Sequence, residues 1–251
     1  MKVSFNELQS LSWKAFIGLG FSDGQASDAA DMLCWMESCG LEGVKTLKDA
    51  LEQYSLEHPY SPPDILYKDT DVTVLDAHNI SVLACSHLPL ELAFTQARAR
   101  GLSVLKIRRC RQRQLVMGYL ARLANRGMNV TAFWRNSQTP LTEQVVGFRA
   151  SSSVPSIRIY AVSELPDENK DNTGITVVMA NHVDLLPTMR SEYEYDLLAR
   201  HDESDLLEVR SKTEREGITV DPELWEQLQT LAKLTLVAST ASSRLGAGPA
   251  D

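Results

Sequence analysis

The sequence lacks several features that would assign it to a large class of proteins. Its 251 residues include four cysteines, none in a Cys-x-x-Cys pair, and its thirteen glycines and ten prolines are too few for a collagen-like chain. No apolar run approaches the roughly 18 to 20 residues of a membrane-spanning helix. The first ten residues contain no apolar core of a signal peptide. We therefore expect a cytoplasmic, globular protein with free, buried thiols and no metal site.

Positive charge is scarce overall and concentrated in one segment. The formal net charge is -8, which disfavours a nucleic-acid or membrane partner. Residues 98–113 nevertheless contain seven basic residues and no acid, whereas residues 182–226 contain thirteen acids and five bases. The sequence thus predicts one basic patch on an otherwise acidic molecule.

The N-terminal part of the chain predicts three helices. Ser4-x-x-Glu7 and Ser22-x-x-Gln25 have the form of capping boxes, in which the first and fourth side chains satisfy the free amides of a helix start. A third amphipathic segment follows Gly43, and a proline-rich stretch then ends the helical pattern. We expect residues 1–58 to form a helical segment.

From residue 64 onward, strands and helices alternate, and three further strands with short loops follow. This pattern predicts an α/β (or α+β) fold in which helices cover a mixed sheet over residues 64–237. The acidic stretch 191–213 predicts one or two exposed helices. Residues 222–237 predict an amphipathic helix that Asp221 caps and Pro222 begins. The remaining residues, 238–251, form a Gly/Ser-rich tail.

Several short motifs occur in an order that is typical of one family. The chain resembles the malate/L-lactate dehydrogenase type-2 family over roughly its first 140 residues. This resemblance implies a fold unrelated to the Rossmann fold, NAD(P)-dependent reduction of 2-oxo or cyclic imino acids, and a homodimer or larger assembly. The motifs that carry it are Ala26-x-x-Ala29-Ala30, Cys39-Gly40-Leu41-Glu42-Gly43-Val44, Gly118-Tyr119-Leu120-Ala121 and Phe133-Trp134-Arg135-Asn136-Ser137.

The chain also departs from that family where the family does its chemistry. Members carry a Gly-x-x-Ser-His-Gly loop whose histidine is an acid/base group, but the corresponding loop here, Gly40-Leu41-Glu42-Gly43, has neither serine nor histidine. The arginine that follows the loop in the family is replaced by Thr46, and a second family histidine aligns with Arg113. The pattern Gly217-Ile218-x-Val220-x-x-x-x-Trp225 also resembles a branch of uncharacterised bacterial proteins.

The basic segment supplies the candidate binding residues. Guanidinium groups bind carboxylates and phosphates through paired hydrogen bonds. In an extended segment, Arg109, Arg111 and Arg113 would share one face and could bind an anion. The alternative is that they pair with the acidic stretch 182–226 of the same chain or of a partner chain.

Three further residues are weaker candidates. Asn136 and Ser137 match, by the resemblance, a strand end near the nicotinamide, although Asn-Ser is also an ordinary turn sequence. With both family histidines replaced, His182 is the remaining candidate acid/base group.

Two hypotheses from different classes follow. The chain is either a divergent oxidoreductase that binds NAD(P) or a small carboxylate at an Arg-rich cleft, or a catalytically silent homologue that serves as a structural or regulatory subunit of an enzyme complex. In either case we expect a homodimer or larger assembly, or a hetero-oligomer with an enzyme.

Overall fold

The computed structural model describes residues 1–51, 62–136, 140–162, 173–185 and 196–235. Its strands and helices alternate, as the sequence predicts. The strands are β1 (Lys2–Val3), β2 (Asp64–Lys68), β3 (Val72–Asp76), β4 (Leu102–Arg108), β5 (Asn129–Arg135), β6 (Thr142–Phe148), β7 (Ser156–Ala161), β8 (Ile175–Ala180), β9 (Asp196–His201) and β10 (Ile218–Thr219). The helices are α1 (Phe5–Gly18), α2 (Asp23–Ser38), α3 (Gly43–Leu51), α4 (Val82–Cys85), α5 (His87–Arg100), α6 (Met117–Asn125), α7 (Glu203–Glu216) and α8 (Pro222–Lys233), with a 3-10 helix at Arg113–Val116.

An eight-stranded mixed sheet forms the centre of the fold. Its order is β2-β3-β4-β8-β5-β6-β7-β9, and among these neighbours only β3 and β4 run parallel. The sheet therefore differs from the all-parallel, doubly wound Rossmann sheet. The predicted fold class is confirmed.

One face of the sheet is packed against helices α5 and α6. In β4 the residues Ser103, Leu105 and Ile107 are buried, and the Ser103 hydroxyl donates to the Ala93 carbonyl of α5 at 2.7 Å. Side chains alternate between the two faces of a strand. The intervening residue Lys106 therefore lies on the face opposite α5, where side chains are only half-buried.

The N-terminal helices begin where the capping boxes predict. Ser4 and Ser22 cap α1 and α2, each with a reciprocal bond to the residue three positions on. Helix α2 packs against α6 at Gly118, where an added Cβ would lie 2.6 Å from the Cα of Met32. The glycine of the Gly-Tyr motif thus permits a close approach of two helices.

Three features of the sheets differ from the sequence prediction. Part of the acidic stretch forms a strand, β9, because the outer edge of β7 takes it as a partner and tertiary pairing outweighs local propensity. The prediction of helix there is wrong for Asp196–His201 and correct for α7, which begins at Glu203. Strand β2 was not predicted; all its side chains are exposed, so it lacks the alternation that marks a half-buried strand.

The third difference is the small sheet of β1 and β10, which joins Lys2 to Thr219 and Val3 to Ile218.

All four cysteines are free and buried. In the part of the chain that is described, no helix has the length and apolar character to cross a membrane. The tail 238–251 lies outside the described residues.

Candidate functional site

The loop between α2 and α3 is built by tight backbone geometry. Glu42 has a φ of 53°, and an added Cβ at Gly43 would lie 2.8 Å from the carbonyl oxygen of Leu33. The carboxylate of Glu37 accepts a hydrogen bond from the Val44 amide at 2.9 Å and so caps α3. Burial is the largest influence on Glu37 and raises its pKa. In this loop Glu42 therefore has a left-handed backbone conformation and the start of α3 is capped, and the loop carries no histidine side chain.

A polar contact joins the start of α3 to the 3-10 helix. The Gln114 side-chain amide donates to the Thr46 hydroxyl. Thr46 stands where the family resemblance places an arginine, and Gln114 follows Arg113, which stands where it places a histidine. Thr46, at one position of the expected reaction site, therefore bonds to the residue that follows the other position.

Arg109 turns away from the other arginines of its segment. Its φ is 48°, and its Nε and Nη2 atoms donate to the carboxylate of Asp76 at 2.8 and 2.5 Å. The Arg109 guanidinium holds the pKa of Asp76 below its usual range. Arg109 is thus paired with Asp76 of β3.

Arg113 lies inside the fold at the ends of two central strands. Its Nη1 donates to the carbonyl of Cys110 at 2.9 Å and its Nη2 to the carbonyl of Arg135 at 2.8 Å. Gln112 has a φ of 49° and the 3-10 helix follows, so the segment is not extended. The condition under which Arg109, Arg111 and Arg113 would share one face is therefore not met, and Arg111 is exposed.

Asn136 closes the turn between β5 and β6. Its Oδ1 accepts from the Thr142 amide at 2.7 Å, and its Nδ2 donates to the Pro140 carbonyl at 3.0 Å. The Asn136 side chain thus forms the hydrogen bonds of an ordinary turn, which is the alternative that the sequence left open. Ser137 lies outside the described residues.

His182 is exposed and far from the arginine segment. His182 comes shortly after the end of β8. At that end the Asn181 backbone amide donates to the Gly101 carbonyl at 3.0 Å, and Gly101 directly precedes β4. The arginine segment follows the other end of β4. A strand of about six residues spans roughly 20 Å. The structure therefore does not bring His182 together with Arg109, Arg111 or Arg113.

A residue that the sequence analysis overlooked lies at the centre of the positive charge. Lys106 of β4 is half-buried, and burial lowers its pKa, as do the charges of Arg108, Arg113 and Arg135. Within the described residues its ammonium group has no hydrogen bond or ion pair. We call Lys106, Arg108, Arg113 and Arg135 the cation cluster. The available signal was a lysine inside the apolar run Leu102–Ile107, followed at strand spacing by Arg108.

One carboxylate is paired within this region. Glu143 of β6 accepts from the Nε of Arg135 at 3.0 Å, and both side chains are about one-fifth exposed. Glu143 thus places one negative charge beside the cation cluster. Arginine forks and a lysine in this arrangement suit the binding of a carboxylate or phosphate. No group of three or more potential metal ligands is present in the described ranges.

Comparisons with known proteins agree with this fold. Malate dehydrogenase from Pyrococcus horikoshii is similar with a TM-score of 0.66 and 14% identity, over 94% of this chain and 96% of that one. Sulfolactate dehydrogenase from Methanocaldococcus jannaschii is similar with a TM-score of 0.63 and 12% identity, over 94% of this chain and 98% of that one. The chain has the malate/L-lactate dehydrogenase type-2 fold.

The structural likeness reaches beyond the motifs that suggested it. Malate dehydrogenase from Entamoeba histolytica is similar over 96% of this chain and 99% of that one, with a TM-score of 0.64 and 10% identity. The type-2 fold thus extends past the first 140 residues. By sequence, residues 3–87 match a family described as "Protein of unknown function (DUF3726)". No curated protein matches the chain by sequence.

Proposed function

We propose that this chain is a divergent oxidoreductase-fold protein that binds a small carboxylate, or the anionic part of a nicotinamide nucleotide, at the cation cluster. The observation that carries the proposal is the position of Lys106, half-buried and without an ion partner among the described residues, beside three guanidinium groups. A half-buried ammonium group without an ion partner is costly, and an anionic ligand would relieve that cost.

The type-2 fold and the donor set support NAD(P) as the cofactor of this proposal. The structures of the same fold are named as dehydrogenases and a reductase. The cation cluster consists of donors that suit a phosphate or a carboxylate, so it fits the anionic part of NAD(P). When bound, such a nucleotide supplies hydride chemistry. The chain's own contribution there is to hold negative charge, with Arg113 fixing the ends of β4 and β5.

Thermal unfolding in the presence of ligands tests the proposal. The intact chain is melted with NAD(H), NADP(H), a series of 2-oxo acids and inorganic phosphate. A ligand at one hundred times its dissociation constant stabilises a fold by about 2.7 kcal/mol. We expect at least one carboxylate or nucleotide to raise the melting temperature of the wild type but not of Arg135→Gln. The exposed-site variant Lys45→Gln should respond like the wild type. If no anion raises the melting temperature, the binding proposal is wrong.

A second candidate function rests on a different observation. Strand β2 is an edge strand on which Ile65, Leu66 and Tyr67 are each at least half exposed. An exposed apolar edge is a template for strand pairing with another chain. Together with Thr46 and Arg113 at the positions of family functional groups, it favours a catalytically silent subunit that assembles through β2.

Molar mass in solution tests this alternative. A wild-type assembly that Ile65→Lys converts to monomers, while Lys68→Glu on the same strand retains it, would support pairing through β2. A wild type that is monomeric at micromolar concentration and binds NAD(P) would exclude the silent-subunit hypothesis.

A further inference from the structure

We infer that His78 is a pH-sensitive switch: its neutral imidazole binds the guanidinium of Arg109, and its protonated imidazole releases Arg109 and binds Asp76 instead. The switch joins two loops, residues 77–81 after β3 and residues 109–112 after β4, which we call the β3 loop and the β4 loop. Strands β3 and β4 run parallel, so both loops lie at the same end of the sheet. The inference does not depend on the anion-binding role of the cation cluster.

Both nitrogens of the His78 imidazole are hydrogen-bonded. The Nε2 atom lies 2.9 Å from Oδ2 of Asp64 on β2, and the Nδ1 atom lies 3.2 Å from Nη2 of Arg109 in the β4 loop. A guanidinium group has N–H donors and no acceptor, so Nδ1 must accept and carries no proton in this arrangement. The Nε2 atom then carries the proton and donates it to the carboxylate of Asp64. The two contacts therefore select one neutral tautomer of His78.

A proton on Nδ1 is incompatible with the bond from Arg109. The Nδ1 atom would then be a donor that faces a second donor, and two positive groups would lie 3.2 Å apart. An acceptor is close by, because Oδ1 of Asp76 lies 3.8 Å from Nδ1. A small rotation of the protonated ring would let Nδ1 donate to Asp76 while Nε2 continues to donate to Asp64. Protonation thus exchanges the partner of Nδ1.

Charged groups from three elements face the His78 ring. They are Asp64 of β2, Asp76 at the end of β3 and Arg109 of the β4 loop. The two carboxylates favour the protonated ring, and the guanidinium favours the neutral ring. The His78 side chain is 39% exposed, so protons reach it from solvent. Because the charge of a histidine ordinarily changes between about pH 5 and 8, pH in this range selects between the two arrangements.

The backbone of both loops is held in unfavourable conformations. In the part of the chain that the structure describes, six residues other than glycine have a positive φ, and four of them lie in these loops: His78, Asn79, Arg109 and Gln112. Such conformations persist where surrounding contacts hold them, and they cluster in switch regions. The Asn79 amide donates to the Arg109 carbonyl at 2.6 Å, beside the bond between the His78 and Arg109 side chains. Loss of the side-chain bond therefore lets the two loops separate more readily.

Hydrogen exchange of the Asn79 backbone amide tests the inference. Exchange of the intact chain is measured at about pH 7.5 and about pH 5.5, on either side of the range in which histidine titrates, and is corrected for the intrinsic rate at each pH. Buried amides of α2 serve as the internal reference. We expect the protection of Asn79 to fall roughly tenfold at the lower pH, the size of one hydrogen bond to a charged group. His78→Gln, which can donate to Asp64 but does not titrate, should show no such fall, and the exposed-site variant His182→Gln should behave like the wild type.

Nitrogen NMR of the imidazole gives a second readout that requires no variant. We expect His78 of the wild type to carry its proton on Nε2 at the higher pH and to carry protons on both nitrogens at the lower pH. A neutral ring with its proton on Nδ1 overturns the inference, as does an Asn79 protection that is equal at the two pH values or that falls equally in His78→Gln. If His78→Gln does not fold, the tautomer and the Asn79 protection of the wild type decide.

Discussion

The Nη2 atom of Arg113 donates to the backbone carbonyl of Arg135 at 2.8 Å, so the side chain of one member of the cation cluster positions the backbone of another. The Nη1 atom of Arg113 simultaneously holds the carbonyl of Cys110 at 2.9 Å. Arg113 thus joins the ends of β4 and β5 across the intervening strand β8. Its role is to arrange the cluster as well as to contribute charge to it.

Replacing Arg113 should therefore destabilise the fold. Hydrogen bonds that involve a charged group contribute about 1.5 to 3 kcal/mol each when one partner is removed. For a chain of this size, we expect Arg113→Ala to lower the melting temperature by roughly 3 to 10 °C. The control is Arg215→Ala, at an exposed position of α7, for which we expect a change within about 0.5 kcal/mol. Equal effects of the two substitutions in a thermal melt would contradict the structural role of Arg113.

The pair of Asp76 and Arg109 predicts a dependence of stability on acid. The pKa of Asp76 is lowered in the folded state, so its carboxylate contributes stability that is present above the unfolded-state pKa of about 3.9 and is lost as the pH falls through the lower folded-state value. Asp76→Asn has no carboxylate at this position, so its stability does not change with pH through protonation of residue 76. We expect the melting temperature of the wild type to fall more steeply than that of Asp76→Asn below about pH 4. Asp23→Asn, at an exposed helix start, controls for the loss of one charge. Parallel curves for the wild type and Asp76→Asn would refute this assignment.

Glu37 predicts the opposite dependence. Burial raises its pKa, so the folded state binds the Glu37 proton more tightly than the unfolded state does, and the charged form opposes folding. Glu37→Gln retains an oxygen that can accept from the Val44 amide and carries no charge. At neutral pH we expect Glu37→Gln to melt above the wild type, with the difference shrinking as the pH falls through the raised pKa. The comparison is made against Glu42→Gln, which removes the same charge from an exposed neighbour. A difference that grows in acid would contradict the prediction.

Two glycines should respond to alanine in opposite directions. At Gly118 the added Cβ would lie 2.6 Å from the Met32 Cα, so α2 and α6 must separate. Overpacking of this kind costs about 1 to 3 kcal/mol. At Gly24, inside α2, nothing lies within 4 Å of the added Cβ, and alanine favours helix by up to about 1 kcal/mol. Chemical denaturation should show a loss for Gly118→Ala and no loss for Gly24→Ala. Equal losses would show that the close helix contact does not determine the effect.

The local part of the fold could be predicted because its determinants are local. Ser4 and Ser22 cap their helices through side chains three residues apart, and Gly101 ends α5 with a φ of 94°. Strands β2 and β9 could not be predicted in the same way. Both lie at edges of the sheet, so pairing with a neighbour, rather than an apolar alternation of their own, determines their conformation.

The candidate site was predicted only in part, for a related reason. The sequence indicated an arginine-rich segment, and Arg113 lies in the cation cluster. It placed Arg109 beside Arg113, whereas the left-handed backbone at Arg109 and Gln112 turns Arg109 toward Asp76. Lys106 and Arg135 belong to strands that β8 separates, and β8 begins forty residues after Arg135. Strand order is a property of the whole fold, so spacing along the chain did not reveal their proximity.

The pairing of β1 with β10 has a consequence for how the chain folds during synthesis. The Met1 amino group donates to the Val220 carbonyl, 219 residues along the chain, and α1 packs against α8. Contacts of such large sequence separation form slowly, because a long loop must close before they can form. The side of α1 that packs against α8 therefore has no partner until the residues of α8 have left the ribosome. During that interval the apolar side chains on this side of α1 are exposed and can bind a chaperone.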